Sequence, residues 1–287
     1  VHALLKEKIT AAGHPVCIGF DPDITDLHPF LKRQFEGLAV ESFLERWYAA
    51  VVTPIAKQAH SIKFQSAFFE QFGPIGLTAL RDVIIDAKKR GLFVILDAKR
   101  GDISSTMSAY GRMAFDAYQA DALTIMPWMG TDSLMAIMPW LKQGRGAFLV
   151  WLSSNPSGRA IQMKEFVNQS SPALEVFSQF YDRALSESVT QQLGWVLGAT
   201  SIPDGLMERL PSGEHCFLLP GIGAQGAVFD ATTTGIAARH PSSLFPVSRG
   251  ILKPDPASTI HSWDEYSLFV TSRWQQLITA YKTERSK

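Results

Sequence analysis

Short, unbroken apolar runs, each closed by Gly, Pro, Ser or Asp, recur along the whole chain: Val16–Phe20, Ser61–Phe64, Phe93–Ala98, Ala122–Met126, Gly146–Leu152, Trp195–Ala199, Cys216–Leu219 and Leu244–Ser248. Continuous rather than alternating hydrophobicity suits a strand covered on both faces, because neither side of its pleat meets water. Between the runs the period changes. Val40, Phe43, Leu44, Trp47, Tyr48, Val51, Val52 and Ile55 form the i, i+3, i+4, i+7 stripe of a helix with one buried face. Tyr266, Phe269, Val270, Trp274, Leu277, Ile278 and Tyr281 repeat it later. From Ile18 to Val247 the run centres lie about 33 residues apart, the length of a strand plus a returning helix. Eight such units predict an α/β fold, a single (β/α)8 barrel of the TIM type spanning residues 1–287. The two widest gaps, Asp21–His60 and Ser153–Gly194, are expected to hold loop or helix insertions. A doubly wound open sheet shares this alternation, so periodicity leaves it open.

Charge adds an exclusion. The 287 residues carry 27 Lys plus Arg against 27 Asp plus Glu. A generic nucleic-acid or membrane-surface binder would show a basic excess, so neither partner is expected, and an anionic ligand must be held locally. The longest wholly apolar run, Ala147–Leu152, is far short of a membrane span. Val1–Thr10 shows no signal-peptide core. Cys17 and Cys216 each sit in an apolar run, as buried thiols of a reducing compartment do, and the expected location is cytoplasmic.

In a barrel the chemistry belongs at the C-terminal ends of the strands. Those ends carry Asp21, Lys63, the segment Asp97-Ala98-Lys99-Arg100-Gly101-Asp102, Ser153-Ser154-Asn155, Gly221-Ile222-Gly223-Ala224-Gln225-Gly226, and Arg249-Gly250. Asp97 and Lys99 are two apart and project to one side of an extended chain, and Asp102 lies where it can fold back towards them. With Lys63 they form an array of alternating charge. A salt-bridged cluster could merely brace the barrel mouth, but buried charges are expensive, which tilts such an array towards function. The seventh segment matches G-x-G-x-x-G, yet it comes late and no acidic residue falls between Ala231 and Pro254 to bind a ribose. Its glycines read better as a backbone cradle for one phosphate at a helix N-terminus, with Arg249-Gly250 gripping from the next strand. The seven histidines show no ligand spacing, so no metal is expected. Met126-Pro127-Trp128-Met129 and Met138-Pro139-Trp140 read as packing, and Lys88-Lys89-Arg90 as a solvated helix end.

Together these residues are familiar. Asp97, Lys99 and Asp102, with Ile103 and Thr106, match D-x-K-x-x-D-I-x-x-T, and the chain resembles the orotidine 5′-phosphate decarboxylase family. Asp21-Pro22, Lys63, Ser154-Asn155-Pro156, Pro220 to Gly226 and Arg249-Gly250 follow in that family's order, and Ser154-Asn155-Pro156-Ser157 is similar to its second bacterial subgroup. The resemblance implies conversion of orotidine 5′-phosphate to UMP and CO2, the last step of de novo pyrimidine nucleotide synthesis, without metal or organic cofactor. Lys99 would stabilise the C6 carbanion and protonate it. Asp97 and Lys63 would hold Lys99, Asp21 and Lys63 would contact the ribose, and Asp102 would lie against the departing carboxylate. Gln225, Arg249 and Gly250 would take the phosphate, and Ser153, Ser154 or Asn155 the base. Family members are homodimers, so Asp102, Ile103 and Thr106 would reach into the neighbour's site. The nearest alternative is a metal-dependent keto-sugar phosphate decarboxylase or epimerase, which shares D-x-K-x-x-D. A Schiff-base aldolase and a non-catalytic phosphate binder stand further off.

Overall fold

A computed structural model describes residues 1–287 apart from 165–171, 201, 203–204, 206–207, 209–212 and 223–227. Each apolar run becomes a strand: β1 Val16–Phe20, β2 Ser61–Gln65, β3 Phe93–Arg100, β4 Ala122–Ile125, β5 Gly146–Leu152, β6 Leu193–Leu197, β7 Phe217–Leu218 and β8 Phe245–Val247. All pair in parallel, in the order β7-β6-β5-β4-β3-β2-β1-β8. The ring shuts between β7 and β8, where Leu244 donates its N–H to Phe217 O and accepts from Leu219 N–H, at 2.7 and 2.8 Å. Because every strand lies beside its sequence neighbours and the ends meet, the open doubly wound sheet is excluded.

The pleat sorts side chains into two cores. Cys17, Phe93, Ile95, Phe148, Val150, Val196, Cys216, Leu218 and Leu244 pack together inside the ring. Leu5, from the helix His2–Ala12, joins them and plugs the N-terminal end, which we call the foot. Their sequence partners, such as Val16, Ile18, Phe20, Val94 and Leu96, face the surrounding helices. The two amphipathic stripes become the helices Val40–Ile55 and Trp263–Arg285, and both bury their apolar faces there. The wide gaps hold helices Pro29–Gly37 and Val40–Ile55 in one case, Pro156–Gln162 and Pro172–Ser186 in the other. Both cysteines are free and buried. Among the described residues no helix is long and apolar enough to cross a membrane.

Two expectations need correction. Trp128 and Met129 are exposed rather than packed, because the chain leaves β4 through a 3₁₀ turn at Pro127–Met129 instead of continuing as strand. Lys88 is not simply solvated: its ammonium pairs with both Asp121 oxygens at 2.5 and 2.6 Å. Asp121 also accepts the Val94 N–H at 2.8 Å, so this pair ties a helix end to the start of β3.

Candidate active site

At the C-terminal end, the mouth, the strands enclose a cavity of about 270 Å³. Register brings its charges together. Gly19 of β1 pairs with Lys63 of β2, and Gln65 of β2 with Asp97 of β3. Lys63 Nζ lies 3.2 Å from Asp21 Oδ1 and 3.1 Å from Asp97 Oδ2. Lys99 Nζ lies 2.7 Å from Asp97 Oδ1. Asp21, Lys63, Asp97 and Lys99 therefore form one unbroken chain of alternating sign. Burial alone would push the Asp97 carboxyl up, but the Lys63 and Lys99 ammonium groups and their hydrogen bonds outweigh it and hold the acid well below the usual carboxylate range. For Lys63, burial works downward, and Asp21 and Asp97 overcome it to hold the ammonium above its ordinary value.

The bend that presents Lys99 is local. β3 and β4 stay in register at Leu96↔Leu123, then resume only at Arg100↔Ile125, so extra residues bulge from β3. Lys99 sits at the bulge with φ +44°, a left-handed conformation that costs a residue with a Cβ roughly 1–2 kcal/mol. Thr124 secures it. Its Oγ1 accepts the Lys99 N–H at 2.9 Å and donates to Asp97 Oδ1 at 2.9 Å. Gln65 Nε2 donates to Asp97 Oδ2 at 3.1 Å. Asp97 thus has four partners. Thr124 and Gln65 escaped the sequence reading because a lone polar residue in an apolar strand looks like ordinary variation; the signal was their inward register beside Asp97.

Ser153, Ser154 and Asn155 line the cavity from across the barrel. Gly198 allows this approach, since a Cβ there would come 2.6 Å from the Ser154 Cα. Ser153 is committed, its N–H and Oγ both donating to Gln162 Oε1 at 3.0 and 3.1 Å. Asn155 Nδ2 donates to Ser157 Oγ at 3.0 Å. Arg249 is exposed and lines the cavity beside Ser248, whose buried Oγ has no hydrogen-bond partner among the described residues. Gly250 is half-buried and stands behind the lining. Gly221, at φ +122°, turns the chain at the cavity wall. Gln225 and the glycines at 223 and 226 lie outside the described residues. The helix that follows, Ala231–Arg239, has its N-terminus filled by its own capping box, Asp230 Oδ1 accepting from Thr233 N–H at 2.8 Å.

Asp102, Ile103 and Thr106 do not join the cavity of their own chain. Asp102 Oδ1 instead accepts the N–H of Ile103, the next residue in its own chain, at 2.7 Å, and Ile103 and Thr106 are exposed at the start of the helix Ser104–Gly111.

Comparison with known proteins places this arrangement. The orotidine 5′-phosphate decarboxylase of Myxococcus xanthus is 36% identical over 251 residues, 84% of each chain. That of Streptomyces coelicolor is 34% identical over 262 residues, covering 90% of this chain and 91% of its own. Among solved structures, the OMP decarboxylase of Leishmania donovani superposes with a TM-score of 0.68 at 26% identity, covering 97% of this chain and 98% of that one. The Plasmodium berghei orotidine 5′-monophosphate decarboxylase, at 20% identity, shares the fold with a TM-score of 0.78 over 100% and 99% of the two chains. The model of the orotidine 5′-phosphate decarboxylase / HUMPS family matches residues 14–262. The chain belongs to that family.

Proposed function

We propose that this chain decarboxylates orotidine 5′-phosphate to UMP and CO2 in pyrimidine nucleotide synthesis. The observation that carries the reading is the unbroken Asp21–Lys63–Asp97–Lys99 array in the mouth cavity. When the C6 carboxylate leaves as CO2, the bonding pair remains in the plane of the pyrimidine ring, where the π-system cannot take it up. A cation must meet it and then supply a proton. Lys99 suits both tasks: its side chain is 40% exposed, against 7% for Lys63, so it is the ammonium a substrate can reach. The developing charge is met by the Lys99 ammonium, which gives its proton to C6 and is reprotonated from water. Lys63, sealed between Asp21 and Asp97, holds the array in shape. One oriented donor contributes roughly 3–4 kcal/mol, and enzymes lower barriers by about 8–23 kcal/mol. Binding energy from the distant phosphate, gripped by Arg249 and by Gln225, supplies part of the rest. Ser154 and Asn155 take the base, since Ser153 is occupied by Gln162.

The reaction needs no metal or organic cofactor. Incubation with orotidine 5′-phosphate and EDTA should discharge the orotate chromophore, and in D2O the UMP should carry deuterium at C6. Activity that requires Mg2+, or acts only on keto-sugar phosphates, would replace this reading with the neighbouring branch of the family.

The site is completed across a homodimer. Exposed Ile103, Trp128 and Met129 give the mouth an apolar rim, and Gly101 lies against the Met126 carbonyl, so the two loops that bear them are adjacent. Docked on a second copy, this rim carries Asp102 and Thr106 into the neighbour's cavity, with Asp102 against the departing carboxylate. Mixing Lys99→Ala with Asp102→Ala chains should restore activity through one intact composite site; verified heterodimers without activity would return the site to a single chain. The two free, buried cysteines support a reducing, cytoplasmic setting.

A further inference from the structure

The foot of the barrel holds a second concavity, of about 450 Å³, lined by Lys8, Lys57, Lys282, His14 and His60 and by no Asp or Glu. In a chain whose charges cancel, three cations without a facing carboxylate are a local excess. The helices His2–Ala12, Val40–Ile55 and Gly73–Lys89 all end here. Each end carries about half a negative charge, which offsets roughly half of the lysine charge. Those ends are also served by backbone donors: Gly13 N–H to Ile9 O, Ala59 N–H to Ile55 O and Gly91 N–H to Lys88 O. Lys8 donates to Gly91 O at 2.7 Å. Lys57 and Lys282 form no ion pair among the described residues.

The histidines supply an independent sign. His60 is 5% exposed, and neither of its ring nitrogens has a hydrogen-bond partner among the described residues. The His14 backbone faces that ring without closing a hydrogen bond of good geometry. His14 lies 5.3 Å away between ring centroids; its Nε2 meets Gln58 O at 3.2 Å, while Nδ1 faces the Val16 backbone and closes no hydrogen bond of good geometry among the described residues. A buried polar group left unsatisfied costs roughly 1–3 kcal/mol, and in native folds nearly all such groups are hydrogen-bonded, so an unpartnered ring lining a concavity is suited to a ligand that satisfies it. Burial lowers His60 to about 3 and His14 to about 4, so both rings are neutral near pH 7; His14 spends its single N–H on Gln58 O, and His60 keeps one to donate.

We propose that this concavity binds a phosphate-bearing small molecule of nucleotide size, with its phosphate oxygens held by Lys57, Lys282 and a ring N–H of the His14–His60 pair. The volume lies within the roughly 300–1,000 Å³ of small-molecule sites, and lysine serves phosphate as a point charge. The site lies at the end of the barrel opposite the decarboxylase cavity. Equilibrium dialysis with labelled inorganic pyrophosphate tests it on the intact chain. Expected is saturable binding that weakens by about tenfold or more in the double variant Lys57→Ala/Lys282→Ala, survives Arg249→Ala, and fades with added salt. His60→Gln should weaken it as well, since the ring donor is lost while the lysines remain. No saturable binding, or binding lost with Arg249→Ala and kept in the double lysine variant, overturns the proposal. Turnover of orotidine 5′-phosphate should be unchanged in the lysine variant, so failure here and failure of the decarboxylase reading are separate results.

Discussion

The mouth and the foot of this barrel both bury ionisable side chains, and they treat them in opposite ways. At the mouth Asp97 and Lys63 are almost sealed from water, yet both stay charged, because each finds opposite charge near 3 Å. At the foot His14, His60 and His240 are buried as well, but among the described residues no carboxylate forms an ion pair with them, and burial lowers them to about 4, 3 and 4. Burial alone therefore does not decide the state of a group; the presence of a partner does. A charged, preorganised array can meet charge that develops during a reaction without first reorganising. A set of neutral imidazoles cannot, and it leaves the foot with a different kind of chemistry.

The largest effect should come from removing the exposed ammonium of the mouth's charge array. With the roles proposed for it, Lys99→Ala would delete both the cation that meets the carbanion and the proton donor, so kcat should fall about 10⁴-fold or more. The fold should survive, since Lys63 still faces Asp97, and thermal unfolding of the variant checks this. A rate within tenfold of the wild type would mean that the array is only a brace. Arg249→Ala comes next. If phosphate binding supports the array at a distance, KM should rise strongly and kcat/KM should drop by roughly 3 kcal/mol, about a hundredfold. A loss below tenfold would separate the phosphate grip from the chemistry.

Acid should break the foot before the mouth. The ordinary histidine value is 6.5, and the folded values are about 4 for His14, 3 for His60 and 4 for His240. As pH falls from 6.5 towards 4, the unfolded chain takes up protons that the folded chain refuses, so stability is lost through that window and levels off below it. Asp97 acts in the same direction but in a lower window: its contribution is complete above its ordinary value of 3.8 and is lost only as pH falls below that. Between pH 6.5 and 4 Asp97 therefore adds nothing to the slope and the three histidines carry it, by an amount on the order of a few kcal/mol. Thermal midpoints measured across this range should decline in the wild type and decline less steeply in His14→Gln/His60→Gln. An equal slope in both would place the acid sensitivity elsewhere.

Much of this contrast was legible in the sequence at the mouth, and little of it at the foot. Continuous apolar runs mark the strands because a barrel strand is covered on both sides, and D-x-K places two charges on one side of an extended chain. Sequence spacing could not show that Asp102 caps Ile103, because a carboxylate two residues past a strand has several donors within reach. Trp128 and Met129 looked like packing, because hydrophobicity cannot tell a core from an exposed rim. The histidines carry no motif at all. His14 and His60 are 46 residues apart and meet only because β1 and β2 start side by side at the foot.

The smallest effect concerns Thr124, which sequence alone could not assign. Its hydroxyl makes the two hydrogen bonds that hold Lys99 at positive φ and fix one Asp97 oxygen. Thr124→Val keeps the shape and removes both bonds, leaving a buried N–H without an acceptor at a cost of about 1–3 kcal/mol. The loss should fall mainly on kcat, because Lys99 would be misplaced against the reacting carbon while the phosphate grip stays intact, and KM should hardly move. Thr124→Ser retains the hydroxyl and should recover most of the rate. If Ser and Val are equally impaired, the methyl group and not the hydroxyl matters, and Thr124 serves packing. If Val turns over at the wild-type rate, the β3 bulge holds Lys99 unaided, and the mouth is more rigid than its hydrogen bonds imply.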